Sequence, residues 1–373
     1  MWQYRRMPEP HARRRERLRD AITAHGADAA LITCLVNVRY LTGLASSHAA
    51  LLLPVEGTPV LATDSRYTLT AARECPDVEL VTARGAETAL AELASARHHH
   101  RLAFEAHEVT VERHDALEKA GTAELVPLGK AVEELRIVKD EEEIALLARA
   151  CAITGDAFDA IAARIRPGIT ERDLAVVIER AMISAGAEKP AFDTIVASGP
   201  NGAIPHHVPG DRELAAGDLV TIDCGARYAG YHADMTRTVA LGRAANWQRE
   251  IYQLVAQAQQ AGIGAAVAGA AVAEVDAAAR DLIAEAGHSD HFGHGLGHGV
   301  GLEIHEAPLL ARGRPGKLSD RVPVTVEPGV YLPGLGGVRI EDTLVVRHGA
   351  GPAAARDLLT TTKTANPQEL LVL

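Results

Sequence analysis

The 373-residue sequence predicts an α+β protein with two domains, and three features of the chain lead to this prediction. Short apolar runs alternate with amphipathic stretches through the first third, which is typical of an α/β domain. A strongly charged segment then leads into a long helix, and the rest of the chain contains an internal repeat. We therefore place the domain boundary near residue 132, which gives domains of residues 1–131 and 132–373.

The N-terminal domain is expected to contain a sheet of six apolar strands. These strands are predicted at residues 29–33, 50–55, 59–63, 78–81, 101–105 and 124–128. Helical stretches separate several of them, and no glycine-rich phosphate-binding loop is present. The arginine run within MWQYRRMPEPHARRRERLRD (1–20) is expected to form a solvated helix face.

The charged segment VEELRIVKDEEEI (132–144) marks the start of a long helix. Apolar side chains recur at helical spacing after it, at Ile144, Leu147, Cys151, Phe158, Ile161 and Ile165. Pro167 and Gly168 are expected to end this helix.

The C-terminal domain contains two segments of equal length that resemble each other, at residues 168–186 and 269–287. Each begins and ends with glycine and has an acid near the start of its predicted helix. A further helical run at about 247–265 precedes the second copy, as the long helix precedes the first. Chance similarity between two alanine-rich helices is the alternative, but the equal length favours a duplication of helix, helix and strands.

The composition argues against several classes of partner. The net charge of −11 argues against nucleic acid and anionic membranes as partners. No apolar stretch approaches the length of about 18 residues that a membrane span needs. The arginine-rich N-terminus lacks the apolar core of a secretory signal. The scattered cysteines Cys34, Cys75, Cys151 and Cys224 suit reduced thiols in the cytoplasm, where we expect the protein to lie.

Two aspartates stand out in a predicted β-hairpin at residues 217–241, which turns at Ala229 and Gly230. In this register Asp223 faces Thr236, and Asp223 and Asp234 are diagonal neighbours with Cα atoms roughly 7–8 Å apart. Two acids on one face of an apolar hairpin should repel each other. A cation between them would remove this conflict.

Two glutamates near the C-terminal end are likewise acids placed among apolar strand residues. VPVTVEPGVYLPG (322–334) buries Glu327 between valines before a Pro-Gly turn, and GVRIEDTLVV (337–346) sets Glu341 inside an apolar strand. Arg339 lies on the same face as Glu341. A surface-facing position would explain any one acid, but four buried carboxylates without a partner would be too costly.

The stretch HFGHGLGHGVGLEIHE (291–306) could be a helical zinc site, because His294 and His298 are four residues apart. The glycines argue against a helix, since each costs roughly 1 kcal/mol in a helix interior relative to alanine. In an extended segment the two histidines would lie roughly 13 Å apart, so at most one binds a given ion. We expect an extended segment that other backbone approaches closely.

Four carboxylates and one imidazole are mostly hard ligands and are more than one ion needs. A site for two ions of Mn²⁺, Co²⁺, Fe²⁺ or Zn²⁺ fits this set better than a structural zinc site. Two ions that share a hydroxide are suited to hydrolysis.

The four motifs DCGARYAGYHADMTRT, GHGLGHGVGLEIHE, VTVEPGVY and GVRIEDT resemble those of the methionine aminopeptidase/prolidase/aminopeptidase P/creatinase family. The resemblance covers essentially the whole chain. It implies a C-terminal pita-bread fold, whose two related halves would explain the repeat, and a creatinase/prolidase-like α/β N-terminal domain. It also implies a ligand set in which Asp223 and Asp234 bind metal, Asp234 and Glu341 bridge the ions, and His298 and Glu327 hold one of them. Glu327 is also the implied proton shuttle.

The resemblance further assigns residues around the metal ligands. It places His206 near the substrate amide, with His207 as the weaker alternative, and His305 at the substrate carbonyl group. It makes His294 part of the proline-side pocket, and it makes Arg339 a support for the bridging glutamate and, as in prolidases, part of the active-site network. Both residues are therefore expected to contribute to substrate binding.

Within this family, methionine aminopeptidases usually lack the N-terminal domain, and creatinases have lost metal ligands. The motifs are most similar to those of cytoplasmic bacterial Xaa-Pro dipeptidases (prolidases). Aminopeptidase P, which acts on longer peptides, and a metal-binding scaffold without peptidase activity are the alternatives. The resemblance implies proline-containing di- or oligopeptide substrates, two divalent ions with manganese as the first choice, and a homodimer.

Overall fold

The computed structural model describes residues 10–349 and 356–373. The chain divides into two compact units, of which one ends at Arg136 and the other begins at Ile137. The boundary expected from the sequence lies a few residues before this division. Among the described residues, no helix combines the length and the apolar character that a membrane span requires.

The N-terminal unit contains one six-stranded mixed sheet in the order β4-β3-β2-β1-β5-β6. Its strands are β1 (Ala29–Ile32), β2 (Ala49–Pro54), β3 (Val60–Thr63), β4 (Glu79–Thr82), β5 (Arg101–Phe104) and β6 (Glu124–Pro127). Its helices are α1 (Pro10–Ala24), α2 (Leu35–Thr42), α3 (Thr68–Glu74), α4 (Ala86–Ala96), α5 (Val111–Ala120) and α6 (Ala131–Ile137). All six predicted strands are confirmed. The central strands β1 and β2 are buried at every position, which explains their uninterrupted apolar sequence.

The solvated helix face predicted for the arginine run is wrong for Arg14 and Arg15. Both side chains are buried on α1. The Arg14 guanidinium lies 4.4 Å from the centre of the Tyr40 ring, and Arg15 donates to the carbonyl oxygen of Leu41 at 2.7 Å. Arginine is buried here because its donors satisfy carbonyl groups near the end of α2. Residues 1–9 of the same stretch lie outside the described part of the chain.

The C-terminal unit packs four helices against several short sheets. The helices are α7 (Glu141–Ile161), α8 (Glu171–Ser184), α9 (Asn246–Ala265) and α10 (Val272–Glu285). The long predicted helix is confirmed as α7, which begins with a capping box between Asp140 and Glu143. A short 3₁₀ turn, Ala162–Arg164, ends it ahead of Pro167.

The internal repeat is visible in the structure. Helices α8 and α10 have 14 residues each, and each follows a longer helix. The glycines that bracket them adopt positive φ in both copies: 88° and 108° at Gly168 and Gly186, and 91° and 86° at Gly269 and Gly287. Each half also has its own apolar core, one around Phe158 and one formed with α9 and α10. These matched features support a duplication.

Two sheets carry the strands that matter for the site. The first half contributes β7 (Lys189–Pro190), β8 (Ile195–Ser198), β9 (Leu219–Cys224), β10 (Ala226–Tyr228), β11 (Tyr231–His232) and β12 (Met235–Ala240). The second half contributes β13 (Gly297–Gly299), β14 (Glu306–Leu310), β15 (Pro323–Val326), β16 (Gly329–Leu332), β17 (Gly336–Arg339), β18 (Asp342–Val346) and β19 (Arg356–Leu358). The sheet orders are β12-β9-β8 and β14-β13-β15-β18-β19, while β16 and β17 form a separate hairpin.

The predicted hairpin register is confirmed, since Asp223 pairs with Thr236. The turn residues Ala229 and Gly230 have φ values of 47° and 85°, and a two-residue type I′ hairpin turn requires positive φ at both positions. The hairpin is interrupted at Gly225, where a Cβ atom would lie 1.8 Å from the carbonyl oxygen of Ala233. This interruption separates β10 and β11 from the rest of the hairpin.

Candidate metal centre

One cavity of about 490 Å³ in the C-terminal unit brings together all nine side chains predicted for the site. Its lining includes His206, Asp223, Asp234, His294, His298, His305, Glu327, Arg339 and Glu341. These residues come from three stretches of the chain, 206–234, 294–305 and 327–341, so the fold of both halves is needed to assemble them.

Strand ends and strand junctions position the four carboxylates. Asp223 lies near the end of β9, and Glu327 directly follows β15. Asp234 stands immediately before β12. Glu341 was expected inside a strand, and this was wrong: it lies between β17 and β18. The reason is a change of partner, because β17 pairs with β16 and β18 pairs with β15.

The most compact part of the site consists of Asp234, His298 and Glu341. One ligand-type atom from each of these buried residues lies within 4.8 Å of those of the other two. The His298 Nε2 atom is also 3.5 Å from a carboxylate oxygen of Glu327. The His298 Nδ1 atom lies 2.9 Å from the carbonyl oxygen of Gly299, so this nitrogen carries the proton and Nε2 presents a lone pair. Burial lowers the pKa of His298 to about 4, which keeps the ring neutral.

The carboxylates repel one another strongly in the absence of a cation. Burial and the neighbouring charges of Glu341 and Asp223 raise the pKa of Asp234 well above its usual value. The pKa of Glu341 is also raised well above its usual value, by burial and by the neighbouring charges of Glu327 and Asp223. Burial raises the pKa of Glu327 to about 8, although the positive charge of Arg339 opposes this shift. Such a cluster is stable at neutral pH only with added protons or added positive charge.

A carboxylate oxygen without a hydrogen-bond partner among the described residues indicates that these residues fit a metal ion. The Oδ1 atom of Asp223 is buried and has no hydrogen-bond partner in the described part of the chain. A buried carboxylate oxygen without a partner is costly. Its other oxygen accepts a 2.8 Å hydrogen bond from Arg339. Asp223 and His298 each present a lone pair to the cavity, and the acids beside them repel one another. This arrangement matches the ligand set of a divalent cation.

Arg339 organises one side of the site. Besides Asp223, it donates to the Thr236 hydroxyl at 3.1 Å, to the Tyr331 hydroxyl at 3.1 Å and to the Pro205 carbonyl oxygen at 3.2 Å. The Thr236 hydroxyl in turn donates to Glu341 at 2.7 Å. Arg339 therefore contacts Asp223 directly and reaches Glu341 through Thr236. Sequence reasoning missed the roles of Thr236 and Tyr331, although the hairpin register had already set Thr236 opposite Asp223.

His294 lines the cavity but stands apart from the compact cluster. Its Nδ1 atom lies 2.8 Å from the carbonyl oxygen of Gly295, so Nδ1 is the donor. The Tyr331 hydroxyl lies 2.8 Å from Nε2 and therefore donates to it. The ring also meets Phe292 edge-on, with centroids 5.0 Å apart. Because both nitrogens are engaged, His294 offers the cavity mainly its ring surface.

His206 and His305 are exposed and line the cavity, whereas His207 does not line it. The His305 ring packs against the edge of the His298 ring, with centroids 4.5 Å apart. Burial and the neighbouring His206 lower the pKa of His305. The His207 Nε2 atom instead lies 2.7 Å from a carboxylate oxygen of Glu171. Of the two adjacent histidines, His206 is the one that can reach a substrate in the cavity.

The glycine-rich segment around His298 is extended, as expected, and is not helical. A Cβ atom at Gly297 would lie 2.0 Å from the carbonyl oxygen of Thr325, and one at Gly299 would lie 2.2 Å from that of Ala307. Backbone therefore packs against both glycines, on either side of the histidine.

Residues 145–348 match metallopeptidase family M24, and these residues include the five ligand-type side chains. The chain belongs to this family. Residues 14–138 match the creatinase/prolidase N-terminal domain. The pita-bread fold and the creatinase-like N-terminal domain expected from the sequence are therefore confirmed. As an M24 metallopeptidase, the chain is a hydrolase that uses divalent metal ions.

Relatives and solved structures within the family include enzymes with two related activities. An Xaa-Pro dipeptidase of Pyrococcus furiosus is 46% identical over 62% of this chain and 67% of its own length. The structure of an Xaa-Pro dipeptidase from Bacillus anthracis superposes with a TM-score of 0.92 and 37% identity, and the match covers 97% of this chain and 100% of that one. An X-Pro aminopeptidase from Thermotoga maritima superposes with a TM-score of 0.87 and 35% identity, over 96% of this chain and 99% of that one.

Proposed function

We propose that this M24 metallopeptidase hydrolyses the Xaa-Pro peptide bond of dipeptides. The observation that carries the proposal is the single cavity in which five ligand-type side chains lie beside two exposed histidines, His206 and His305. Full-length similarity to an Xaa-Pro dipeptidase structure supports the choice of substrate.

Five side chains would hold two divalent ions. They are Asp223, Asp234, His298, Glu327 and Glu341, with Asp234 and Glu341, both almost fully buried, shared between the ions. The mostly hard ligand set makes Mn²⁺ our first choice, with Co²⁺, Fe²⁺ and Zn²⁺ as alternatives. When bound, the ions lower the pKa of water and polarise the carbonyl group of the scissile bond.

Glu327 is the best placed of the four carboxylates to move a proton. Its side chain is 18% exposed, compared with 13% for Asp223 and 7% for Asp234. It is therefore the more accessible of these three carboxylates from the cavity, and we assign the proton transfer to it. In this role it accepts the proton of the water and returns it to the nitrogen when the peptide bond breaks.

The remaining cavity residues would orient the peptide. His206 and His305 present ring nitrogens that can hydrogen-bond the substrate amide and carbonyl groups. His294 has both nitrogens engaged, so its ring surface would contact the apolar proline ring together with Phe192. Arg339 would keep Asp223 aligned and support the hydrogen-bond network on the substrate side of the cavity.

A second candidate is an Xaa-Pro aminopeptidase that acts on longer peptides, which the similarity to the X-Pro aminopeptidase structure favours. The deciding experiment compares hydrolysis of Leu-Pro and of Leu-Pro-Gly with Mn²⁺ or Co²⁺ added. Hydrolysis of the dipeptide only supports the dipeptidase. Efficient release of leucine from the tripeptide would establish the aminopeptidase instead. Metal binding without hydrolysis of either peptide would leave a metal-binding scaffold.

We also propose a cytoplasmic homodimer. Four scattered cysteines, all free thiols in the structure, support a reducing compartment. Light scattering of the purified protein tests the dimer, and cell fractionation tests the compartment. A monomeric mass or a secreted protein would contradict these two points.

A further inference from the structure

A single buried carboxylate, that of Glu171, ties together the segment that carries His206. Glu171 is the first residue of α8 and is 0% exposed. One oxygen accepts hydrogen bonds from the Ser198 backbone at 2.8 Å and the Ser198 hydroxyl at 2.7 Å. The other accepts from His207 at 2.7 Å and from the Gly210 backbone at 3.3 Å. The Asn201 amide donates to both, at 3.0 Å and 3.2 Å.

These contacts bracket His206 within the segment of residues 199–210, which we call the His206 segment. The residue after it, His207, is held by Glu171. The residue before it, Pro205, accepts a 3.2 Å hydrogen bond from Arg339. Both neighbours of His206 in the sequence are therefore anchored, while His206 itself stays exposed to the cavity.

The internal repeat shows that the start of this helix does not itself need a carboxylate. The position of Glu171, three residues after Gly168, corresponds to Val272, three residues after Gly269. Val272 is also 0% exposed, so an apolar side chain fills the same place in the second half. The carboxylate in the first half is therefore explained by its hydrogen bonds to the His206 segment and not by the packing of the helix.

We propose that Glu171 is a positioning residue that fixes His206 for catalysis without touching the substrate. The inference rests on the catalytic role proposed for His206. Glu171 is not part of the cavity lining. It acts through His207, through Ser198, which directly precedes the His206 segment, and through Gly210 at the other end of that segment. Without it, an irregular segment would gain conformational freedom, and a displacement of about 1 Å in a reacting geometry can cost about 100-fold in rate.

The test compares Glu171→Gln with Asp173→Asn, which removes an exposed acid from the same helical turn. Glu171→Gln should lower kcat for Leu-Pro about 10- to 100-fold with little change in KM or bound metal. It should also speed hydrogen–deuterium exchange in the His206 segment of the metal-free protein. Asp173→Asn should change neither quantity. Unchanged exchange and unchanged kcat in Glu171→Gln would overturn the inference.

A double-mutant cycle separates positioning from a general loss of stability. In a His206→Ala background, Glu171→Gln should have almost no further effect on kcat, because Glu171 affects kcat only by placing His206. Equal losses in both backgrounds would overturn the inference. If Glu171→Gln fails to fold, His207→Gln, which keeps a donor, should retain more activity than His207→Ala. A wild-type enzyme that does not cleave Leu-Pro would instead refute the proposed function, while the exchange experiment would still test the anchoring.

Discussion

The buried ion pair between Lys139 and Glu306 gives a sharp test of how this fold is stabilised. The Lys139 Nζ atom lies 2.8 Å from a carboxylate oxygen of Glu306, and the two side chains are only 1% and 5% exposed. The other oxygen of Glu306 accepts a 3.1 Å hydrogen bond from the Glu303 backbone. Glu306 directly follows His305 and also lines the cavity, so the pair supports one wall of the site.

Lys139→Met should lower the free energy of unfolding by about 3–5 kcal/mol, because it leaves a buried carboxylate that has lost its ammonium partner. The double variant Lys139→Met/Glu306→Leu should regain most of this loss, since two apolar side chains can replace a buried ion pair at little cost. Urea unfolding followed by tryptophan fluorescence, to which Trp247 of the same unit contributes, measures both values.

A matched control is the ion pair between Arg172 and Asp211, which has a similar separation of 2.7 Å but side chains that are 60% and 82% exposed. Arg172→Met should cost less than about 1 kcal/mol, because solvent screens the pair. The reasoning fails if Lys139→Met costs no more than Arg172→Met, or if the double variant is less stable than Lys139→Met alone.

Three further predictions concern the metal centre and the chain around it. Asp234→Ala or Glu341→Ala should abolish peptide hydrolysis and lower the bound metal measured by elemental analysis; an active, fully metallated variant would refute the ligand assignment. Gly297→Ala should destabilise the protein by at least about 1–3 kcal/mol, because its Cβ atom would overlap the backbone of β15. Gly293→Ala has open space around the added atom and should leave the melting temperature unchanged. Equal melting temperatures of the two variants would contradict this prediction. Burial would raise the pKa of Glu171, but its hydrogen bonds outweigh burial and lower it below the ordinary value of 4.5. The stability that Glu171 confers should therefore be complete above pH 4.5 and be lost as the pH falls through its lowered pKa. The measurement is the protection of the His206 segment against hydrogen exchange, taken relative to an unstructured peptide at the same pH, and this protection should decrease at low pH.

The parts of the fold that follow local patterns could be predicted from the sequence. The apolar runs of the N-terminal unit become strands because burial on both faces demands uninterrupted apolar residues. The hairpin register follows from the turn at Ala229 and Gly230, and it brings Asp223 opposite Thr236. The carboxylates could be singled out because acids between apolar strand residues are physically anomalous.

The parts that depend on long-range packing could not be predicted. Nothing near Arg14 in the sequence indicates that its guanidinium packs on Tyr40. Glu171 could be seen only as one acid in the first turn of a helix, because its partners lie 27 to 39 positions away along the chain. The strand junction at Glu341 depends on a change of pairing partner, which no local pattern encodes.

The duplication explains why the four carboxylates of the site are arranged symmetrically. Each half supplies two carboxylates at comparable places, one at the end of β9 or β15 and one immediately before β12 or β18. Both pairs of strands are antiparallel, so each half presents two acids to the same cavity.

The histidines break this symmetry. His298 lies on β13 beside β15, whereas β8, the strand beside β9, has the sequence IVAS and offers no imidazole. The first half instead contributes His206, whose neighbour His207 is held by the carboxylate of Glu171, and the second half has Val272 at the position of that carboxylate. A symmetric set of four acids would bind two ions in equivalent environments. Peptide hydrolysis distinguishes the carbonyl group from the leaving nitrogen, and the unequal placement of the histidines gives the site the asymmetry that this distinction requires.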